Sequence, residues 1–243
     1  MPDAKHPHLP KAPIAEAVVE FRVTGHPAPS EEFERFAVAL GSGYPKHMKL
    51  QEAHALLRFG EADTHADSSV SRIGVRLESA DDKDIVIGSV RSLVVSRLAP
   101  YQSWDVLIEK IRMAWPIYRE HFKPEQVIRM GVRCINRIDI GEEKVDLDAI
   151  FQAGPQIPPD LPQHLGQYMT RVVLPVDFHM GIAITQSLEP GSRDVVLDID
   201  AYAELAANPA DDHTLWDQLE KLHDQRNRAF FASLHKTVWE KYL

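Results

Sequence analysis

The stretch AEAVVEFRV at residues 15–23 alternates apolar with charged or small side chains, which predicts a β-strand. A second stretch of the same character, VIRMGVRCINRID at residues 127–139, recurs in the second half of the chain. One face of each predicted strand is apolar, whereas the other face carries most of the charged residues. Strands hold so many ionisable groups only where these groups are paired or face water. These two strands therefore decide how the sheet is built and which of its faces meets a core.

The first half of the chain predicts the element order β-α-β-β-β-β-α. A short helix follows the first strand, and four strand-like runs lie between residues 53 and 98. The long helix after them carries one apolar stripe at spacings of three and four residues, formed by Trp104, Leu107, Ile108, Ile111, Trp115, Tyr118 and Phe122. Pro116 lies inside this helix, and we expect it to kink the helix or to end it early.

The second half predicts a shortened copy of this order. It reads as a strand, a short helix at residues 147–151, a proline-rich loop, three strands and a final helix at residues 212–242. Trp104-Asp105-Val106-Leu107 opens the first long helix, and Trp216-Asp217-Gln218-Leu219 opens the last one. This agreement predicts an internal duplication. The alternative is that Trp-Asp is simply a common helix start, because aspartate favours the first turn.

The duplication predicts two tandem units, residues 1–124 and 125–243, within one continuous structural domain. Each would be a β-α-β(3–4)-α unit, which makes the fold class α+β. Joined through their first strands, the units would form a curved antiparallel sheet backed by the two long helices. This architecture resembles the TATA-binding-protein-like and helix-grip-like classes. It implies a concave sheet face open to a ligand or partner.

The composition restricts the classes of partner. Basic residues number 27 and acidic residues 36, so the net charge is −9. An acidic chain is unsuited to bulk electrostatic binding of nucleic acid or of an anionic membrane. The single cysteine excludes an internal disulfide and a multi-cysteine zinc site. We expect a cytoplasmic protein that has no membrane-spanning segment and no cofactor.

The charged strand faces form the candidate site. We predict that a binding site includes Glu16, Glu20, Arg22, Arg72, Arg76, Arg133 and Arg137. The planar fork of arginine matches carboxylate and phosphate groups, so this face would take a small anionic ligand or a segment of a protein partner. The alternative is an internal ion-pair network, in which Glu16 and Glu20 pair with Arg133 and Arg137 and join the two units.

A metal-dependent reaction is a further alternative. Asp198 and Asp200 lie two residues apart on one strand face, and with Glu16 or Glu20 they could hold Mg²⁺ beside a phosphorylated substrate. Acids at this spacing more often form the solvent face of a strand. No metalloprotease or phosphate-loop motif is present, so we predict no metal site. Cys134 alternates onto the apolar face of its strand, which predicts a buried and unreactive thiol.

Several segments also carry a family resemblance. These are KAPIAEAVVE at residues 11–20, Tyr101 with Trp104, RMGVRCINRI at residues 129–138, and Leu222-His223 followed by Phe230. In this order they resemble a sporadically distributed bacterial family of uncharacterised proteins, over nearly the whole chain. Cys134 stands where that family more usually has an aromatic residue. The resemblance implies no established activity, substrate or cofactor. The sporadic distribution implies an accessory gene in a mobile or defence-linked setting.

These observations predict a cytoplasmic binding or interaction module that uses the charged face of a concave sheet. A homodimer is compatible with the sequence. One alternative is a component of a toxin–antitoxin or phage-defence pair. The other is a metal-dependent enzyme acting on a phosphorylated or nucleotide substrate. The residue patterns favour binding over catalysis and leave the identity of the ligand open.

Overall fold

The computed structural model describes residues 6–59, 64–139, 141, 146–163, 165–208 and 210–243. Its strands are β1 (Ile14–Thr24), β2 (Lys46–Phe59), β3 (Thr64–Glu78), β4 (Asp84–Ser89), β5 (Ser92–Leu98), β6 (Gln126–Asp139), β7 (Tyr168–Pro175), β8 (Met180–Leu188) and β9 (Asp194–Ala207). Its helices are α1 (Ser30–Ala39), α2 (Trp104–Phe122), α3 (Asp212–Ser233) and α4 (Lys236–Trp239), and a final 3₁₀ turn spans Glu240–Tyr242.

The strands form one antiparallel sheet of nine strands in the order β2-β3-β4-β5-β1-β6-β9-β8-β7. The two strands with alternating charged faces, β1 and β6, are neighbours near its centre and pair from Ile14 to Thr24 of β1. The predicted α+β class and the antiparallel sheet are therefore confirmed. Several strands extend beyond the predicted runs, since β2 begins at Lys46 rather than at residue 53.

The three longer helices pack on one face of this sheet. Phe21 of β1 shows this directly, because its ring lies 4.6 Å from the Trp115 ring of α2 and 5.9 Å from the Trp216 ring of α3. On the same side, Phe36 of α1 meets Tyr118 of α2 edge to face. The Tyr118 hydroxyl donates a hydrogen bond to the Ser89 carbonyl at 2.8 Å, which ties the buried α2 to the sheet. We call this the helix side and the opposite face the open face.

Pro116 does not end α2 early, which was one of the two outcomes expected of it; a kink was the other. A proline removes the hydrogen bond to the carbonyl four residues earlier and crowds that carbonyl. The helix nevertheless continues to Phe122. Trp115 and Tyr118, on either side of the proline, are fully buried, so packing against the sheet holds both parts of the helix.

Two helix predictions in the second half are wrong. Residues 147–151 form a turn rather than a helix, and α3 ends at Ser233 rather than at residue 242. The turn and the end of α3 meet in an antiparallel bridge between Phe151 and Leu234. The Gln152 amide donates to the Ser233 carbonyl at 2.9 Å, and the His235 amide to the Ile150 carbonyl at 3.0 Å. This pairing needs extended backbone at Leu234, which interrupts the helix.

The two long helices contact each other through their tryptophans. The Trp104 ring stacks on the His223 imidazole at 4.2 Å, and its indole nitrogen donates to Glu220 at 2.9 Å. In return, the Arg112 guanidinium of α2 lies over the Trp216 ring of α3. Burial, together with the nearby positive charge of Arg226, lowers the pKa of His223 to about 3. This histidine is therefore neutral near pH 7.

Replacing His223 should change how stability depends on pH. Between its ordinary value of 6.5 and its folded pKa of about 3, the unfolded chain binds a proton that the folded protein does not. This difference makes the free energy of unfolding fall on acidification, by about 1.4 kcal/mol per pH unit at most. Urea denaturation of His223→Gln should therefore show a shallower loss of stability between about pH 6.5 and about pH 4.5.

The matched control is His213→Gln, which changes an exposed histidine in the first turn of the same helix. This control should keep the slope of the unsubstituted protein. Equal slopes for all three proteins would show that His223 takes up a proton in the folded state as readily as in the unfolded chain.

Candidate functional site

The structure brings most of the predicted site residues together on the open face. Glu16, Glu20 and Arg22 lie on β1, and Arg133 and Arg137 lie on the adjacent β6. The helices cover the opposite face, so these side chains are only partly buried or exposed. Their common location agrees with the alternation seen in the sequence.

Arg72 and Arg76 do not join this group. Arg76 lies on β3 and donates to Glu78 of the same strand at 2.7 Å. Arg72 points to the helix side, where its guanidinium donates to Glu34 of α1 at 2.7 Å and lies over the Phe33 ring. The cause is a register shift in the pairing of β3 with β2, which reverses the alternation beyond this point. A residue pattern that assumes a regular strand cannot detect this shift.

The charged groups of the open face are paired, but not as the predicted network pairs them. Arg133 forms a two-point contact with Asp198 of β9, with nitrogen–oxygen distances of 2.8 and 2.6 Å. Arg137 lies 3.8 Å from Asp194, and neither arginine forms an ion pair with Glu16 or Glu20. The network therefore joins β6 mainly to β9. The predicted network had drawn the carboxylates for these two arginines from β1 alone.

Arg129, which the sequence analysis did not select, lies at the centre of the network. Its guanidinium donates to Glu20 of β1 and to Asp200 of β9, both at 2.7 Å, and so bridges three adjacent strands. It also lies over the Tyr202 ring at 4.9 Å. A Cβ at Gly131 would come within 2.9 Å of the guanidinium, so glycine leaves the space that Arg129 occupies.

A second glycine completes this layer of flat side chains. The Tyr202 ring lies over Gly181 of β8, where an added Cβ would be 2.6 Å from the phenol oxygen. Two glycines, on the strands at either side of β9, thus let a guanidinium and a phenol lie flat on the sheet. The sequence signal for this arrangement was the pair of glycines inside strand-like runs.

The electrostatics of the network favour mutual neutralisation. Burial raises the pKa of Asp200, while the positive charge of Arg129 opposes that rise. The hydrogen bonds to Asp198 raise the pKa of Arg133. Each of these arginines thus has a carboxylate partner from β1 or β9. The centre of the open face therefore holds strands together rather than presenting uncompensated positive charge to an anion.

Two further residues singled out for chemistry lie in unreactive surroundings. Cys134 is buried on the helix side, and this burial raises the pKa of its thiol. Asp198 and Asp200 share a strand face, as predicted, but each is engaged by an arginine. Within the described ranges, no cluster of three or more histidine, cysteine, aspartate or glutamate side chains is arranged to hold a metal ion. No helix in those ranges has the length and apolar character needed to cross a bilayer.

The edge of the open face has a different character. β7 pairs only with β8 in the described sheet, and seven of its eight residues are exposed. Met169 and Val173 lie on the open face, whereas Val172 and Leu174 lie on the helix side. Beneath Val172 and Leu174, a groove of about 640 Å³ separates the β7–β8 hairpin from α3.

Arg171 is the single charged residue in β7. It donates to the Thr185 hydroxyl at 3.2 Å and forms no ion pair with a described residue. It therefore differs from the arginines at the centre of the sheet, because its charge is not matched by a carboxylate. The residue pattern predicts a strand here but does not single out Arg171, because one arginine in an apolar run forms no recognisable motif.

Comparison with known proteins assigns no role to the charged centre of the open face or to the edge strand β7. No protein-family model matches the chain, and no curated protein matches it. The resemblance to a sporadically distributed bacterial family stays a prediction, because its motifs are strand patterns. Function is therefore inferred from the geometry of this chain.

Replacing Arg129 tests the network. Arg129→Met should lower the free energy of unfolding by about 2–3 kcal/mol, because it leaves the partly buried Asp200 without its hydrogen-bonded counter-charge and Glu20 with only Arg22. Chemical denaturation at neutral pH measures this loss. Arg22→Met is the control, since Arg22 contacts the same Glu20 from an exposed position and should change stability far less. Similar stabilities for both variants would contradict a central role for Arg129.

Proposed function

We propose that the protein is a cytoplasmic interaction module that binds an extended segment of a partner protein along β7, at the edge of the open sheet face. The observation that carries this proposal is the exposure of β7. An edge strand offers unpaired backbone amides and carbonyls to another chain, and native proteins usually protect such edges with charges, bulges or covering elements. β7 combines exposed apolar side chains on both faces with a single charge.

The strand at the opposite edge of the sheet, β2, differs from β7 in its charge and thereby supports this interpretation. The described start of β2 reads Lys46-His47-Met48-Lys49, a run with charges of the kind that discourage strand addition. β7 lacks this protection. A partner strand beside β7 would gain backbone hydrogen bonds, while its alternate side chains would meet the two exposed faces.

The side chains of β7 suggest the chemistry of the partner segment. Met169 and Val173 favour apolar side chains on the open face, and Val172 and Leu174 favour apolar side chains over the groove toward α3. Arg171 favours a carboxylate opposite it, because its charge has no acidic partner in the described residues. The expected segment is thus extended and apolar, with one acidic residue.

The central charged residues have a supporting role in this proposal. Arg129 pairs with Glu20 and Asp200, and Arg133 pairs with Asp198, so these groups favour a stable sheet over the capture of a small anion. The same pairing disfavours the metal-dependent alternative, since Asp198 and Asp200 would have to leave their arginines to bind Mg²⁺.

We also propose that the chain consists of two duplicated units, residues 1–124 and 125–243, in a TATA-binding-protein-like or helix-grip-like arrangement. The strand order supports this, because the pair β5-β1 matches the pair β9-β6 across the centre of the sheet. In the chain, one long helix follows β5 and the other follows β9. The reciprocal contacts of Trp104 with α3 and of Trp216 with α2 support it as well. The second unit would be divergent, with a turn where the first has α1.

A partner encoded next to this gene would make the protein one half of a toxin–antitoxin or phage-defence pair. That reading is a special case of the proposal, because it too requires a protein partner. Inspection of neighbouring genes, combined with the identity of the bound segment, distinguishes such a pair from an interaction module whose partner is encoded elsewhere.

Site-specific photo-crosslinking in the native host tests the proposal. A photoreactive amino acid at Val173 should give a discrete adduct with one host protein. The same probe at Val70, an exposed valine on β3, should not give this adduct. The crosslinked segment should contain an acidic residue, and Arg171→Glu should remove most of the adduct, because it places like charges opposite each other.

Sedimentation of the purified chain separates a second copy from a different partner. We expect a monomer. A dimer abolished by Arg171→Glu would show that β7 pairs with itself, and equal adducts at Val173 and Val70 would show that β7 is not a docking edge. Either result overturns the proposal.

A further inference from the structure

A separate cavity lies on the helix side, where the two halves of the chain meet. It has a volume of about 460 Å³ and lies between the start of α2, the middle of α3 and the strands β1 and β6. This volume suits a small organic molecule. Polar and apolar groups both line it, among them Ile14, Tyr101, Ser103, Asn136, Arg226 and Phe230.

Arg226 in the wall of this cavity has no hydrogen-bond or ion-pair partner in the part of the chain that the structure describes. It exposes 6% of its surface, and its Nε atom is buried without a hydrogen-bond acceptor. Arg226 forms no ion pair or hydrogen bond with any described residue, in contrast to Arg129 and Arg133 on the open face. Arginine stays charged at all physiological pH values. A buried unpaired charge is costly, so its retention points to a partner outside the described residues.

Asn136 provides a second unsatisfied group beside the same cavity. Its amide nitrogen donates to the Leu197 carbonyl at 2.8 Å and to the Cys134 carbonyl at 3.3 Å. Those contacts fix the orientation of the amide and leave Oδ1 buried without a donor. Buried polar atoms normally have a partner, so Oδ1 calls for a hydrogen-bond donor in the cavity.

The start of α2 adds a favourable electrostatic field. Ser103 caps the helix by accepting from the Val106 amide, while Trp104 and Asp105 have amides without an acceptor inside the helix. Residues 103–105 all line the cavity, so the positive end of the helix dipole faces it. The Asp105 side chain is exposed and also lines the cavity, which limits the negative charge that the cavity can accept.

We infer that this cavity binds a small organic carboxylate with an apolar or aromatic body, held by Arg226. One permanent cation opposed by the Asp105 carboxylate matches a singly charged group better than a phosphate of higher charge. Ile14, Tyr101 and Phe230 offer apolar surface to the rest of the molecule. A donor on the ligand would satisfy Asn136 Oδ1. The cavity lies away from β7, so this inference is independent of the proposed partner segment.

Calorimetric titration of the full chain tests the inference with defined probes. The panel contains phenylacetate, indole-3-acetate and hexanoate, with 2-phenylethanol as an uncharged analogue and inorganic phosphate as a different anion. We expect at least one carboxylate to bind, and 2-phenylethanol and phosphate to bind more weakly or not at all. Arg226→Met should weaken carboxylate binding by at least about tenfold, because it removes the charge while keeping a side chain of similar length.

Two variants serve as controls. Arg226→Lys keeps the positive charge but loses the fork, so it should bind more tightly than Arg226→Met and less tightly than the unsubstituted protein. Arg228→Met makes the same substitution at an exposed position on the same helix, outside the cavity lining, and should leave carboxylate binding unchanged.

The melting temperature provides a readout besides binding. Without ligand, Arg226→Met should melt at a higher temperature than the unsubstituted protein, because an unpaired buried charge has been removed. The inference is overturned if no carboxylate of the panel binds, if Arg226→Met binds as tightly as the unsubstituted protein, or if phosphate binds in preference to every carboxylate. A lower melting temperature for the folded Arg226→Met protein would also overturn it, since Arg226 would then stabilise the chain without a ligand.

Discussion

The pairing of β1 with β6 is the interaction on which the rest of this structure depends. It joins strands from the two halves of the chain near the centre of one nine-stranded sheet. The apolar faces of these strands form the floor of a core that extends under both long helices, as the contacts of Phe21 with Trp115 and Trp216 show. Their other faces bring Glu20 and Arg129 together, and Arg129 extends the link to Asp200 of β9. Both faces of the junction therefore stabilise the same strand register.

Arg129, Arg133, Arg171 and Arg226 fall into two physical classes. Those near the centre of the open face are matched by carboxylates on adjacent strands, so their charges are used within the fold. Arg171 and Arg226 have no such match within the described ranges of the chain. Arg171 lies on an exposed edge, where a protein segment can reach it, whereas Arg226 faces a cavity that suits a small molecule. The charged central face thus stabilises the sheet that carries these two candidate binding regions.

The extent to which these features could be predicted depends on the range of the interactions involved. The alternation in β1 and β6 identified both strands, their charged faces and the α+β class, because side chains alternate strictly along a regular strand. The same rule failed at Arg72, where a register shift reverses the faces. It also could not choose the partners of Arg133, since Asp198 comes close only through strand pairing with β9. The helix that was predicted to reach residue 242 stops at Leu234 because of its bridge to Phe151, a contact distant in sequence.

The sequence by itself therefore determined most of the element types, the apolar stripe of α2, the buried face of Cys134 and the grouping of charges on two strands. These follow from periodicity and local propensity, which act between residues close in the chain. Tertiary structure alone decided which charges neutralise one another, that β7 is an edge, and that Arg226 and the Oδ1 atom of Asn136 border a cavity with no hydrogen-bond partner among the described residues. Those outcomes depend on which distant segments come into contact, because the free energy of a buried charge or an exposed strand is set by its neighbours in space.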